Sequence, residues 1–214
     1  YIFMPGGEKA VSSRDFPCNR KKLPGSAYMQ RLEMAIPMKL PEKIGDRKTH
    51  RRSGRAVLNP VTLTLSLERG SKTLDVAYSV RNASMDHRLR AVVRTGIETD
   101  ETRSLVPFDL SRRRRGGHYV PDVRTADEPN SGLIALSGEA GTVGLFNRGL
   151  YEYEHLERPG GQVALTVLRA TGVISIQKGV EKVRLGEDWI VPENQCVGGW
   201  QTRGKLGLHF AAAG

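Results

Sequence analysis

The chain has 214 residues, 38% of them hydrophobic and 26% charged, with a net charge of +10. That length suits one large β-domain or two small ones, and no run approaches the ~20 consecutive apolar residues needed to span a bilayer, so no membrane partner is expected. Two cysteines, Cys18 and Cys196, are no disulfide framework at this size; two free thiols in a reducing cytoplasm are the simplest reading, with one bridge left open.

In chain order, residues 1–56 are punctuated by Pro5, Pro17, Pro24, Pro37 and Pro41. They read as an irregular N-terminal segment with edge strands at Tyr1–Met4 and Tyr28–Met38. The opening YIFMPGGEKA lacks the basic start and long apolar run of a secretory signal. It also lacks an initiator Met, and the chain is expected to be a piece of something longer. LPEKIGDRKTHRRSGR is expected to be a long polar loop.

Residues 57–214 carry the strand signal. In VTLTLSL, Val61, Leu63, Leu65 and Leu67 alternate with Thr62, Thr64 and Ser66, the period of a strand with one buried face. After the turn ERGSK, TLDVAYSV puts Leu74, Val76, Tyr78 and Val80 on one face and completes a hairpin. HRLRAVVR alternates again through Leu89, Ala91 and Val93, and the three runs predict a meander. Residues 98–129 are polar and broken, apart from an apolar island at Leu105–Leu110. Short strands are predicted at Leu133–Leu136 and Thr142–Phe146, a strong one at Val163–Arg169, another at Val173–Ile176, and a short last one at Gly204–Phe210. Residues 177–188, Trp189 and Trp200 fall in loop-like sequence. No helical apolar stripe extends over ten residues, so the prediction is an all-β chain, an antiparallel β-sandwich with few or no helices.

The residues offer little chemistry by spacing alone. His50, His87, His118, His155 and His209 are isolated in sequence, without the clustered spacing of a metal site. There is no GxSxG, Walker or dinucleotide loop, and nothing around Ser13 or Cys18 marks either as a nucleophile. A glycosidase needs two flanking carboxyl groups. Glu98, Asp100 and Glu101, or Glu152 with Glu154, would supply the residue types, the latter pair on one strand face, but acidic residues on exposed strands are common. The basic runs Lys48–Arg55 and Arg112–Arg115 carry much of the excess charge. They lack interleaved aromatics, so solvated loops are expected rather than a nucleic-acid partner.

Three ordered motifs say more. NASMDHRLRAVVRTGIETDET (82–102), VGLFNRGLYEYEHL (143–156) and QVALTVLRATGVIS (162–175) resemble stretches of the bacterial α-mannosidases and mannosylglycerate hydrolases of glycoside hydrolase family 38. YIFMPGG resembles the Y-x-F-x-P segment that opens that family's C-terminal β-region. The resemblance implies a mannosidase-like C-terminal β-sandwich region, truncated at both ends relative to a parent enzyme. That parent would be a zinc-dependent retaining α-mannosidase, bacterial and cytoplasmic. The nucleophile and the zinc ligands would lie in an N-terminal catalytic domain missing from this chain. The chain would then hold no catalytic residue, metal ligand or cofactor, and its partners would be that domain and an α-mannoside. The resemblance carries three positions to the rim of the sugar site: Tyr1, Arg148 as a hydroxyl clamp, and Asn147, which with Gly149 shapes the turn. Asp86, His87 and Arg88 are expected to tie a turn to a neighbouring strand through charge-assisted bonds, and Arg169 to pair with a carboxylate. Tyr151 and Val173 replace residues usual in the family, Pro and Trp, and LSRRRR replaces its V-x-R-P, which touches fine specificity. The alternatives are a free-standing carbohydrate-binding β-sandwich and a basic nucleic-acid-binding β-domain.

Overall fold

A computed structural model describes residues 10–46, 51–116, 118–120, 123–125, 127–170 and 200–213. Tyr1–Met4, Val173–Ile176, residues 177–188, Trp189 and Cys196 lie outside these residues. The described elements are a single 3-10 turn at Ser13–Asp15 and strands β1 (Asn19–Leu23), β2 (Met29–Pro41), β3 (Ile44–Asp46), β4 (Arg51–Arg52), β5 (Ala56–Glu68), β6 (Thr73–Asn82), β7 (His87–Arg94), β8 (Glu101–Val106), β9 (Asp109–Arg114), β10 (His118–Val120), β11 (Val123–Thr125), β12 (Asp127–Pro129), β13 (Leu133–Gly138), β14 (Gly141–Asn147), β15 (Glu152–Leu156), β16 (Gln162–Ala170) and β17 (Trp200–Ala212). A nine-stranded sheet runs β1-β2-β5-β6-β17-β14-β13-β8-β9, and a four-stranded sheet runs β12-β15-β16-β7. All pairs are antiparallel. The all-β antiparallel architecture is as the alternation predicts.

The core lies between these two sheets. Tyr78, Val80, Ile134, Leu136, Val143, Leu145 and Leu206 of the large sheet meet Tyr153, Val163 and Leu165 of the small one, with Leu89, Ala91 and Val93 packed against them. Strand alternation explains the choice, since every second side chain points inward. Val167 and Leu168 both lose solvent because β16 carries a register shift between Thr166 and Leu168 against β7. A smaller cluster of Ile36, Met38 and Leu40, with Phe16 and Cys18 packed on it, seals the β2 wing. Cys18 is a free thiol.

Several expectations change. The hairpin β5–β6 forms, but the third strand does not extend it into a meander. β17 occupies the place beside β6, and β7 belongs to the other sheet. The cause is the connection 83–86. Asn59 Oδ1 accepts the N–H groups of Ala83 and Ser84 at 2.7 and 3.1 Å, and Asp86 is left-handed at φ 54°. This turn lifts the chain off the sheet, so that the apolar face of β7 covers the core. β2 pairs with β5 from Met29–Glu68 to Pro41–Ala56, so residues 29–41 share one sheet with residues beyond position 56. The polar stretch 40–55 contains the ribbon β3–β4. The broken segment 98–129 contains the hairpin β8–β9. The last strand is thirteen residues long, starts at Trp200 and is central.

Truncating Leu165 to Ala should cost about 2–5 kcal/mol in urea unfolding, because a fully buried side chain leaves a cavity. Val92→Ala, on the solvent face of β7, should stay within about 0.5 kcal/mol.

Candidate functional site

The 148–151 segment is where the chain crosses from the large sheet (β14) to the small one (β15), and the 130–132 segment makes the reverse crossing from β12 to β13. Two buried asparagines stitch these crossings together. Asn147 Nδ2 donates to Asn130 Oδ1 at 2.8 Å, and Asn147 Oδ1 accepts the Leu150 N–H at 3.2 Å. Asn130 Nδ2 donates to the Leu150 carbonyl at 2.8 Å, and Asn130 Oδ1 also accepts the Gly132 N–H at 3.1 Å. Backbone bonds from Asn130 N to Tyr151 O and from Asn147 N to Gly132 O complete the knot. Gly132 sits at φ +130°, a conformation that favours glycine, and a Cβ there would stand a tight 3.2 Å from the Asn147 carbonyl.

The knot holds the exposed pair Arg148–Gly149 at its apex, with Gly149 left-handed at φ 75°. Arg148 projects into solvent from a rigid base, and Tyr151 stands exposed three residues on. Asn147 is buried and its amide is spent inside the turn, so it positions Arg148. Tyr1, the third position carried over, lies outside the described residues. Asn130 is the residue that sequence reading missed; the Asn-Ser-Gly turn signal before β13 marked its place.

Apart from Glu98, which accepts a backbone N–H, the candidate carboxylates sit in ion pairs. Glu152 and Glu154 do share the outer face of the small sheet, but Glu152 meets Arg88 at 3.2 Å, Arg169, and the Thr166 hydroxyl at 2.7 Å, while Glu154 meets Arg90. Arg88 also binds Asp127 at 2.6 Å. The expected roles of Arg88 and Arg169 hold, as does that of Asp86, whose carboxylate accepts the Ile44 N–H at 3.1 Å. Glu98 accepts the Gly160 N–H. The Arg112 guanidinium, hydrogen-bonded to Glu101, holds that carboxyl below its usual range.

The run Arg112–Arg115 is not a loop. Its first three residues end β9, and the guanidiniums pair with Glu101, Glu128 and Asp100. In the second basic run, Arg52 is turned inward onto the carbonyls of Pro41, Met85 and Asp86. Ser13 is exposed in the 3-10 turn, and Cys18 packs in the smaller core.

Among the described residues no three His, Cys, Asp or Glu side chains are grouped to hold a metal. His50 and the His118 side chain lie outside them. His209 Nδ1 bonds the Thr73 hydroxyl at 2.9 Å. His87 does not act as a charged tie: burial lowers its pKa to about 4, opposed chiefly by the nearby Met85 backbone. His155, buried on the inner face of β15, is also lowered, first by burial and then by Arg115.

No family model matches the chain. It is 29% identical over 173 residues to a protein of Halalkalibacterium halodurans called "Putative mannosylglycerate hydrolase", covering 72% of this chain and 16% of that protein. Its fold matches an α-mannosidase from Enterococcus faecalis V583 with a TM-score of 0.80 and 19% identity, over 99% of this chain and 24% of that one. A family 38 glycosyl hydrolase structure from Enterococcus faecalis gives a TM-score of 0.78 and 20% identity, over 98% of this chain and 25% of that one. The chain resembles one part of the family 38 glycoside hydrolases. It spans about a quarter of the length of the matched structures and less of the curated relative. Among the described residues, the three motifs include β7, the β14–β15 crossing and β16.

Asn147→Ala should cost about 1–3 kcal/mol, because Asn130 would keep a buried acceptor with one partner fewer; urea unfolding measures it. The folded pKa of His87 lies below its unfolded value of 6.5, so the unfolded chain takes the proton first. Stability is therefore full above about pH 6.5 and falls as pH drops toward 4, by up to about 1.4 kcal/mol per pH unit for one such group. His87→Asn should flatten that slope in denaturation series at pH 7, 6 and 5, whatever it does to stability at pH 7.

Proposed function

We propose that the chain is a β-domain, C-terminal in its parent, of a longer bacterial, cytoplasmic family 38 α-mannosidase that hydrolyses α-mannosides with retention. The carrying observation is the match, in sequence and in fold, to one part of much longer family 38 proteins. Arg148 is the side chain it offers to the sugar. A guanidinium fork can donate two parallel hydrogen bonds to vicinal hydroxyls or to a carboxylate, and the asparagine knot fixes the backbone from which the fork extends. Asn147 acts through that placement, and Tyr1 would join it at the rim.

Zinc, which the reading expects in the parent, has no grouped donor set among the described residues, so no step is routed through it here. The nucleophile is likewise assigned to the missing catalytic domain. The carboxylates Glu101, Glu152 and Glu154 are held by arginines, an arrangement that serves the sheets.

The test has two arms. The 214-residue chain should not turn over an aryl α-mannoside with or without added zinc; zinc-dependent turnover would move the catalytic site into this chain. In the longer polypeptide, Arg148→Ala should lower kcat/KM by about 10–100-fold, the worth of a charge-assisted hydrogen bond, while circular dichroism stays unchanged. An unaltered kcat/KM would remove Arg148 from the sugar site.

A further inference from the structure

The outer face of the large sheet, away from the core, carries a row of apolar side chains beside the knot. Leu110 faces Leu105 across β9–β8, and Leu133 faces Phe146 across β13–β14. Ile134 pairs with Ser104, which sets Leu133 next to Leu105 and makes the row continuous over four strands, roughly 14 Å at the usual strand spacing. Leu105, Leu110 and Phe146 are each 40–47% exposed. The Phe146 ring lies over Gly144, its Cε2 3.4 Å from where a Cβ would be, and its base lies beside Gly207. Neither glycine puts a side chain over the ring, which is flanked on this face by Leu133.

The row ends at the β8–β9 turn. There Phe108 is fully exposed with a left-handed φ of 70°. It follows Pro107 in a two-residue loop between paired Val106 and Asp109, a position where glycine or asparagine is unstrained and an aromatic is not. Strain of that kind clusters at functional sites. The Ser131 N–H bonds the Leu105 carbonyl, so this turn and the Arg148 knot share one end of the sandwich.

We propose that the Leu110–Leu105–Leu133–Phe146 row and the Phe108 tip dock against the remainder of the longer polypeptide. This rests on the reading in the preceding subsection and adds the surface by which the β-domain is held. The occupant follows from three observations. The matched structures are about four times as long as this chain. The row adjoins the end from which Arg148 is offered. Arg103 on the same face and Arg148 at its end are exposed and in no ion pair among the described residues, two cations that carboxylates of that remainder would meet.

The experiment is hydroxyl-radical footprinting of the 214-residue chain and of the whole polypeptide encoded by its reading frame, with mannosidase activity assayed on the latter. In the longer polypeptide, oxidation of Phe108 and Phe146 should drop about ten-fold, as for side chains from which an interface excludes water. Tyr28, exposed on the far β2 wing, should react equally in both. Undiminished oxidation of Phe146 in an active longer enzyme would overturn the docking surface and leave the mannosidase reading standing. Protection without activity would support the surface and count against the reading. Protection in the 214-residue chain that grows with concentration would assign the face to a second copy and overturn the proposal, as would a reading frame with no further coding sequence. Phe108→Gly supplies a second check: it should leave the melting temperature of the 214-residue chain unchanged or raise it, since glycine accepts φ 70° freely, yet raise Phe146 oxidation in the longer polypeptide. A variant that leaves Phe146 protected would remove Phe108 from the contact.

Discussion

The Asn130–Asn147 pair is the constraint on which the arrangement turns. Two sheets can be stacked by apolar burial alone, but burial is non-directional. It does not say where a chain passes from one layer to the other. Here both crossings, 130–132 and 148–151, are fixed by amide groups that are buried and hydrogen-bonded through both their oxygen and their nitrogen, and a buried amide without its partner is expensive. Just beyond the knot, Tyr153 enters the core, and its hydroxyl reaches Thr102 of the opposite sheet at 2.7 Å. The Glu128–Arg113 pair, at 3.5 Å, ties β12 to β9 across the same gap. The crossing, and Arg148 on it, are therefore held from both sides.

The same logic governs the chain's charge. A net +10 with two arginine-rich runs invites a search for a polyanion. Yet Arg112, Arg113, Arg114 and Arg115 sit within ion-pair distance of Glu101, Glu128 or Asp100, and Arg52 is consumed by three carbonyls. The outer face of the small sheet is a ladder in which Arg88, Arg90 and Arg169 meet Asp127, Glu152 and Glu154. These arginines act as fasteners between strands, a use to which a planar fork with five donors is suited. Arg148, at the apex of the knot, is in no such pair among the described residues.

What could be read in advance follows from range. Alternation is a local property, so β5, β6, β7, β13, β14 and β16 were visible as strands, and so were the buried faces of β6 and β7; on β5 Val61 and Leu63 reach the core as expected, but Leu67 is exposed. Pairing is not local. Nothing in HRLRAVVR says that it joins β16 rather than β6; that depends on Asn59, more than twenty residues upstream, binding the turn at Ala83 and Ser84. β9 was hidden because four consecutive arginines have no apolar alternation, and their partners lie on β8, β12 and the turn before β8. At the candidate site, the Asn-Arg-Gly turn was legible as a turn. Its partner Asn130 was not, because the bond between the two asparagines spans seventeen residues.

The central claim is that this domain works as one part of a longer family 38 polypeptide. The most direct measurement is to denature a lysate of the source cells, separate it by size, and find by mass spectrometry where tryptic peptides of this chain migrate. The account predicts them in a polypeptide roughly four times as long as the 214 residues seen here, together with peptides from outside this sequence. Peptides confined to a species of 23.6 kDa, with none in a longer one, would contradict it.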